Sequence, residues 1–346
     1  PEELYNITLV LLDSDNEYAY RLKKNVNIVQ LTFNSSFAKS LVSMYAFPAK
    51  VLKKLSVNSF IAYYDFISNC VTNVFEKTYD IAIDFYGYGS FVTAFLATKI
   101  QAKKKATWLH DEKPYWMKSV QKYLCEYDKI YGVSQAVVDA FCREYPHYKD
   151  KAAVFYNVID IEEIKRKSEQ DEIIPFKESF NIVTVGRLTE QKGYDIAIKA
   201  ASILKKRKIN FAWYAIGGGR DEKKLKKLVE KYCLENQFVF LGRKKNPYPY
   251  MKHCDLYVQP SRHEGYVITL VEARALCLPI LSSDIPSARE QIQDGINGYV
   301  AELSAEDLAD KIEYLYNNPS QRKKTVEYLK EHPIDFSTEL LKLEII

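Results

Sequence analysis

Twelve short apolar runs, separated by longer amphipathic stretches, restrict this chain more than any other feature of its sequence. Six occupy the first half: Ile7 to Leu12, Asn27 to Leu31, Ile81 to Phe85, Ala106 to Leu109, Lys129 to Val133 and Ala153 to Tyr156. Six more follow at Ile182 to Val185, Phe211 to Ile216, Phe238 to Leu241, Leu256 to Gln259, Pro279 to Ser282 and Tyr299 to Ala301. They lack strict alternation, which is the pattern of strands buried on both faces with helices on either side. The spacing predicts an α/β chain of two doubly wound, Rossmann-like domains built on parallel sheets. Its 346 residues suit two domains of roughly 150 residues.

A charged stretch, Ile161 to Glu178, with a Pro175 stop within it, separates the two series. We place the junction near Asn157 to Asp160, giving an N-terminal domain over 1–158 and a C-terminal domain over 159–329, with 330–346 crossing back to the first. A doubly wound domain ordinarily opens on a strand, a glycine-rich turn and a helix. Here Glu2 to Asn6 leads straight into a strand. An opening step of roughly 30 residues, the first strand and helix of the N-terminal domain, is expected to be missing; the alternative is a domain with one strand fewer.

Forty-nine basic against 45 acidic residues give a net charge of +4, too balanced for a dedicated nucleic-acid binder. Six scattered cysteines without a CxxC read as reduced thiols. No apolar run approaches the roughly 18 residues of a spanning helix, and no basic and apolar leader opens the chain. A cytoplasmic location is the expectation.

In open α/β sheets ligands bind outside the carboxyl ends of the strands. In the second half those ends carry Gly186-Arg187-Leu188 through Lys192-Gly193, then Gly217-Gly218-Gly219, Gly242-Arg243, and Pro260-Ser261-Arg262-His263-Glu264-Gly265. Arg187 and Lys192 flank a turn that opens a helix, a setting in which a guanidinium fork, an ammonium and backbone amides suit a diphosphate. Glu264 and Glu272, seven residues between them, can touch different parts of one elongated ligand, with the amides of Tyr266 and Val267 offered between them. Gly186, Gly217, Gly218, Arg243 and Gly265 complete a substrate-binding rim. Gly217 to Gly219 lacks the spacing of a dinucleotide fingerprint. Asp13-Ser14-Asp15 imitates a metal-binding motif, and His253, Cys254 and His263 do not match common zinc spacings; no metal and no cofactor are expected.

With these motifs, and Asp294-Gly295-Ile296-Asn297-Gly298-Tyr299 after them, the chain resembles the retaining GT-B glycosyltransferases of family 4, of the type that builds bacterial surface polysaccharide. Asn157-Val158-Ile159-Asp160 is similar to the interdomain linker of that family. The resemblance implies two Rossmann-like domains facing across a cleft. It implies that Arg187 and Lys192 hold the diphosphate of a nucleotide-sugar, with UDP as the nucleotide, that Glu264 faces the sugar and that Glu272 binds ribose hydroxyls. It further implies that His110, at the end of the Ala106 to Leu109 strand, faces the sugar from the opposite domain. His110, Arg187, Lys192 and Glu264 are thus the candidate catalytic residues.

The expected chemistry is leaving-group stabilisation by the two cations and helix amides, with retention by a front-face route in which the leaving phosphate takes the acceptor's proton. The acceptor is expected to be a glycan or a lipid-linked saccharide. Ser43 to Asn58 combines Met44, Tyr45, Phe47, Val51, Leu52, Leu55 and Val57 with Lys50, Lys53 and Lys54, and Lys103-Lys104-Lys105 adds a second basic spot. That composition predicts contact with the inner membrane surface. Competing readings are a non-catalytic nucleotide-sugar-binding or partner subunit and a GT-B-like nucleotide-sugar epimerase.

Overall fold

The computed structural model describes residues 5–11, 26–36, 38–40, 42, 58–71, 75, 77–87, 90–170, 176 and 178–342. Each apolar run carries a strand: β1 (Thr8–Leu11), β2 (Asn27–Gln30), β3 (Tyr79–Asp84), β4 (Ala102–Leu109), β5 (Lys129–Gly132), β6 (Ala152–Val154), β7 (Phe180–Val185), β8 (Phe211–Ile216), β9 (Phe238–Gly242), β10 (Leu256–Gln259), β11 (Ile280–Ser283) and β12 (Tyr299–Ala301). The helices are α1 (Asn58–Cys70), α2 (Phe91–Lys99), α3 (Gln135–Glu144), α4 (Ile161–Ser168), α5 (Tyr194–Lys206), α6 (Glu222–Lys231), α7 (Tyr248–Lys252), α8 (Ile268–Ala275), α9 (Pro286–Arg289), α10 (Ala305–Asn317), α11 (Pro319–Glu331) and α12 (Ser337–Leu341).

The strands form a parallel β1-β2 pair, a four-stranded sheet ordered β3-β4-β5-β6 and a six-stranded sheet ordered β12-β11-β10-β7-β8-β9. All pairs in the six-stranded sheet are parallel. Its chain-order strands run outward in both directions from β7 and β10, so the order reverses between those two. This is the switch point where the loops leaving adjacent strands diverge and open a crevice.

Alternate residues of the six-stranded sheet enter opposite cores. Ile182, Trp213, Ala215, Leu256, Val258 and Leu281 pack on one face, and Val183, Ala212, Tyr214, Ile216, Tyr257 and Ile280 on the other. Both sets are apolar, which is why the sequence shows runs instead of alternation. Helix α10 covers the first face through Leu308, Ile312 and Leu315 at helical spacing, and its N-cap Ser304 accepts from the Asp307 amide at 3.0 Å. Each such apolar side chain, fully buried, contributes about 1.5 to 3 kcal/mol.

The chain falls into two compact units, one of residues 1–108, 114–130 and 346, the other of 109–113 and 131–345. The sequence pattern puts the division near 158. Within the second unit α12 lies against the chain at 154–156: Glu339 accepts from the Tyr156 amide at 3.0 Å, and Lys342 donates to the Val154 carbonyl at 3.1 Å.

Strand β4 begins four residues before its apolar run, because Lys103, Lys104 and Lys105 are strand residues with locally engaged amines. Lys103 pairs with Asp80 at 2.7 Å, Lys104 with Asp128 at 3.4 Å, and Lys105 donates to the Ala97 carbonyl at 2.8 Å. The triplet is thus part of a sheet. Asp13-Ser14-Asp15, Pro175 and most of the amphipathic segment, residues 43–57, lie outside the described residues, as does the 12–25 connection between β1 and β2. Among the described residues no helix is long and apolar enough to cross a membrane, and no group of three or more His, Cys, Asp or Glu is arranged to hold a metal ion.

Candidate functional site

Two loops leave the switch point side by side, 186–193 after β7 and 260–267 after β10. Gly193 has φ +66°, and a Cβ there would sit 1.8 Å from the Pro260 carbonyl oxygen. A side chain would drive the loops apart. They are also joined by bonds from the Arg262 amide to the Gln191 carbonyl at 2.8 Å and from Gln191 Nε2 to the His263 carbonyl at 3.0 Å. Arg262 reinforces the seam with a two-pronged pair to Asp195, both bonds 2.8 Å; burial raises the Asp195 pKa while this guanidinium, the stronger influence in sum, holds it below the usual carboxylate range. On the other flank, the Gly186 amide donates to Ile216 at 3.0 Å, Leu188 to Gly218 at 3.1 Å and Gly217 to Gly242 at 2.9 Å, so the β7, β8 and β9 ends form one rim. Arg243 lies over Gly218, its Nε 3.0 Å from where a Cβ would be.

Turn residues Glu190–Lys192 form a single 3₁₀ turn before α5, so Lys192 is not on the helix itself. Its stem runs along Gly186, and its Nζ pairs with Glu264 Oε1 at 2.6 Å, the two side chains only 15% and 8% exposed. The same oxygen accepts from Ser261 Oγ at 2.7 Å. Arg187, by contrast, is exposed and makes no ion pair among the described residues. The two cations read together in the sequence therefore differ in state: Lys192 is tied to a carboxylate and Arg187 is open to solvent.

Beyond Glu264 the chain runs through Gly265, Tyr266 and Val267 into α8. The amides of these three residues donate to no group among the described residues, and no side chain caps the helix. Open amides at a helix start suit an anion. Glu272 sits on the second turn of α8, mostly buried, accepting from the Tyr248 hydroxyl at 3.0 Å. Burial pushes its carboxyl up to about 7, against the opposing pull of the Tyr248 bond. Tyr266 packs against Tyr156, ring centres 5.6 Å apart, and burial lifts its hydroxyl to about 12.

His110 follows β4 and folds with the second unit, the one that holds Glu264, and not with the first. A Cβ on Gly265 would lie 1.9 Å from the His110 carbonyl oxygen, so the 110–111 backbone abuts the loop at that residue. Asp111 approaches His263, Oδ1 to Nδ1 3.9 Å. Glu112 is half-buried; burial raises its carboxyl pKa, and Asp111 and Glu264 add to the effect. The structure thus brings together Gly186, Lys192, Glu264, Gly265 and the His110 backbone, with Glu272 on the adjoining helix. Sequence reasoning passed over Gln259, Ser261, Asp111 and Glu112. The signal for the first was present: a polar residue ending a strand that is otherwise wholly apolar.

Residues 165–332, just under half of the chain, match the family described as Glycosyl transferases group 1. The chain is 33% identical over 172 residues to an uncharacterized glycosyltransferase of Methanocaldococcus jannaschii, covering 49% of this chain and 40% of the relative. It is 30% identical over 184 residues to the N-acetylgalactosamine-N,N'-diacetylbacillosaminyl-diphospho-undecaprenol 4-alpha-N-acetylgalactosaminyltransferase of Campylobacter jejuni, covering 50% of this chain and 49% of the relative. The chain spans about half the length of the curated relatives it matches. The solved structure of Anabaena Alr3699/HepE in complex with UDP and glucose matches 98% of this chain and 90% of that one, with a TM-score of 0.72 at 17% identity. That likeness is one of fold, the GT-B arrangement of parallel α/β domains.

Proposed function

We propose that this chain, whose residues 165–332 match the family Glycosyl transferases group 1, is a retaining enzyme of family 4 that moves a hexosyl or N-acetylhexosaminyl group from a UDP-sugar to a glycan or lipid-linked saccharide. The observation that carries the proposal is the switch-point site: a buried Lys192–Glu264 pair beside three open amides at the start of α8. An ammonium has three protons, so Lys192 keeps two for a phosphate while bonded to Glu264. Breaking the sugar to diphosphate bond concentrates charge on the phosphate, where Lys192, Arg187 and the amides of Tyr266 and Val267 meet it. Glu264 orients the sugar, His110 hydrogen-bonds it, and Glu272 accepts from the ribose. The leaving phosphate takes the acceptor's proton, and neither metal nor cofactor enters these steps.

The donor class is supported by the UDP and glucose bound to the Anabaena protein, and the acceptor class by the diphospho-undecaprenol named for the Campylobacter relative. On this reading the chain acts in surface polysaccharide synthesis, in the cytoplasm and against the inner membrane face. The experiment is calorimetry with UDP followed by product analysis from a panel of UDP-sugars, with and without saccharide acceptors. Binding with acceptor-dependent transfer supports the proposal. Binding without turnover points instead to a carrier or partner subunit, and sugar isomerisation without acceptor to an epimerase.

A further inference from the structure

Glu264 is bonded on one side only. Its Oε1 accepts from Lys192 at 2.6 Å, Ser261 at 2.7 Å and Gln259 Nε2 at 3.4 Å, while Oε2 receives no donor among the described residues. The Glu264 side chain as a whole is only 8% exposed. Nothing in the pair itself prevents the carboxylate from rotating to share both oxygens with Lys192. What resists rotation is a relay behind it. Gln259 is 1% exposed, and its Oε1 accepts from the hydroxyls of Tyr257 and of Thr269, the latter at 3.0 Å. Burial pushes the Tyr257 hydroxyl pKa far up, so it stays a donor. With its carbonyl held by two hydroxyls, the Gln259 amide can only point its N–H groups forward. One meets Ser261 Oγ at 2.6 Å, which leaves the Ser261 proton for Glu264 Oε1; the other reaches Oε1 directly.

We propose that Gln259 is a positioning residue: through Ser261 it fixes Oε1 of Glu264, so that Oε2 is presented to a hydroxyl of the donor sugar. The proposal rests on the nucleotide-sugar reading of this site. It does not follow from the family motif, because Gln259 and Tyr257 lie outside the residues that carry the resemblance and Thr269 is only one of the seven unspecified residues between Glu264 and Glu272.

The test compares Gln259→Glu with the parent, using UDP for binding and the UDP-sugar panel, UDP-glucose and UDP-N-acetylglucosamine included, for turnover. Glutamate keeps the acceptor for Tyr257 and Thr269 but can donate toward Ser261 and Glu264 only when protonated. At pH 8 the expected result is a kcat at least tenfold below the parent with UDP affinity within twofold. The deficit should shrink as the pH falls toward 6, relative to the parent over the same range. In a Glu264→Gln background, Gln259→Glu should cause no further loss. A parental kcat at pH 8, an equal loss of UDP binding, or losses that multiply in the double variant would each overturn the role. A parent that turns over no member of the UDP-sugar panel removes the transferase reading and this role with it, whereas parental turnover with an unaffected variant removes the role alone.

Discussion

The hydroxyl of Tyr248, on the short helix α7, donates to the carboxylate of Glu272 on α8 at 3.0 Å, and among the described residues it is the one donor to a carboxyl that burial has pushed up to about 7. The sign of the pH effect follows. A carboxyl that is harder to ionise folded than unfolded holds more protons in the native state between about 4.5 and 7. Stability is therefore lost as pH rises through this window. Glu272→Gln should raise the melting temperature at pH 8 and change it little at pH 4.5. In the other direction, UDP affinity should strengthen from pH 6 to 8 in the parent, as an ionised acceptor forms for the ribose. Tyr248→Phe, which removes a bond to the charged form, should move that midpoint upward. Calorimetry across the range checks both.

Arg187→Ala and Lys192→Ala should separate binding from stability. Arg187 is exposed, so its loss should weaken UDP binding by about 1.5 to 3 kcal/mol, the usual value of a charge-assisted contact, with an unchanged melting temperature. Lys192→Ala removes the proposed phosphate ligand and also strands Glu264, 8% exposed, without its cation. It should lower the melting temperature as well as the affinity. Thermal melts alongside calorimetry distinguish the two, and equal UDP affinity in all three proteins would sink the diphosphate assignment.

Gly265→Ala should be far more damaging than its size suggests. The new Cβ meets the His110 carbonyl oxygen at 1.9 Å, a backbone contact that cannot yield as a side-chain tip does. We expect a loss on the order of 1 to 3 kcal/mol from the overpacking, read in a urea titration. Donor turnover should fall with it, because the amides following Gly265 move with the loop. A Gly295→Ala control has open space at its Cβ but a φ of +77°, so it reports backbone strain without a clash.

Membrane attachment is tested separately. Co-sedimentation with vesicles containing anionic lipid should capture the parent and not a Lys50/Lys53/Lys54→Glu variant, since each cation near such a surface contributes on the order of 1 kcal/mol. Equal, negligible binding by both would remove the membrane proposal and leave the donor site untouched.

The strands were legible because a doubly wound sheet must bury both faces, and runs such as Phe211 to Ile216 satisfy no other environment. The start of β4 was not, since Lys103 to Lys105 reach solvent or local partners from a strand and look like a loop in sequence. Glu264 and Glu272 could be named from spacing, and so could Lys192. Their states could not: whether Lys192 meets solvent or a buried carboxylate depends on Gly193 seating against Pro260, a contact between segments about 70 residues apart. Glu112 was hidden for the same reason, its significance arising only where the 109–113 turn meets the Glu264 loop.

The 1.8 Å separation between the Pro260 carbonyl and a Cβ that Gly193 does not have makes the two switch-point loops a single part for anyone redesigning this chain. Transplanting residues 260–267 from a relative to change sugar preference, while leaving 186–193 in place, would import a loop whose carbonyl and whose Arg262 were shaped against a different partner. Directed libraries should therefore vary the loops as a matched pair, and a recombination boundary is better placed before β7 or after α8 than anywhere between them.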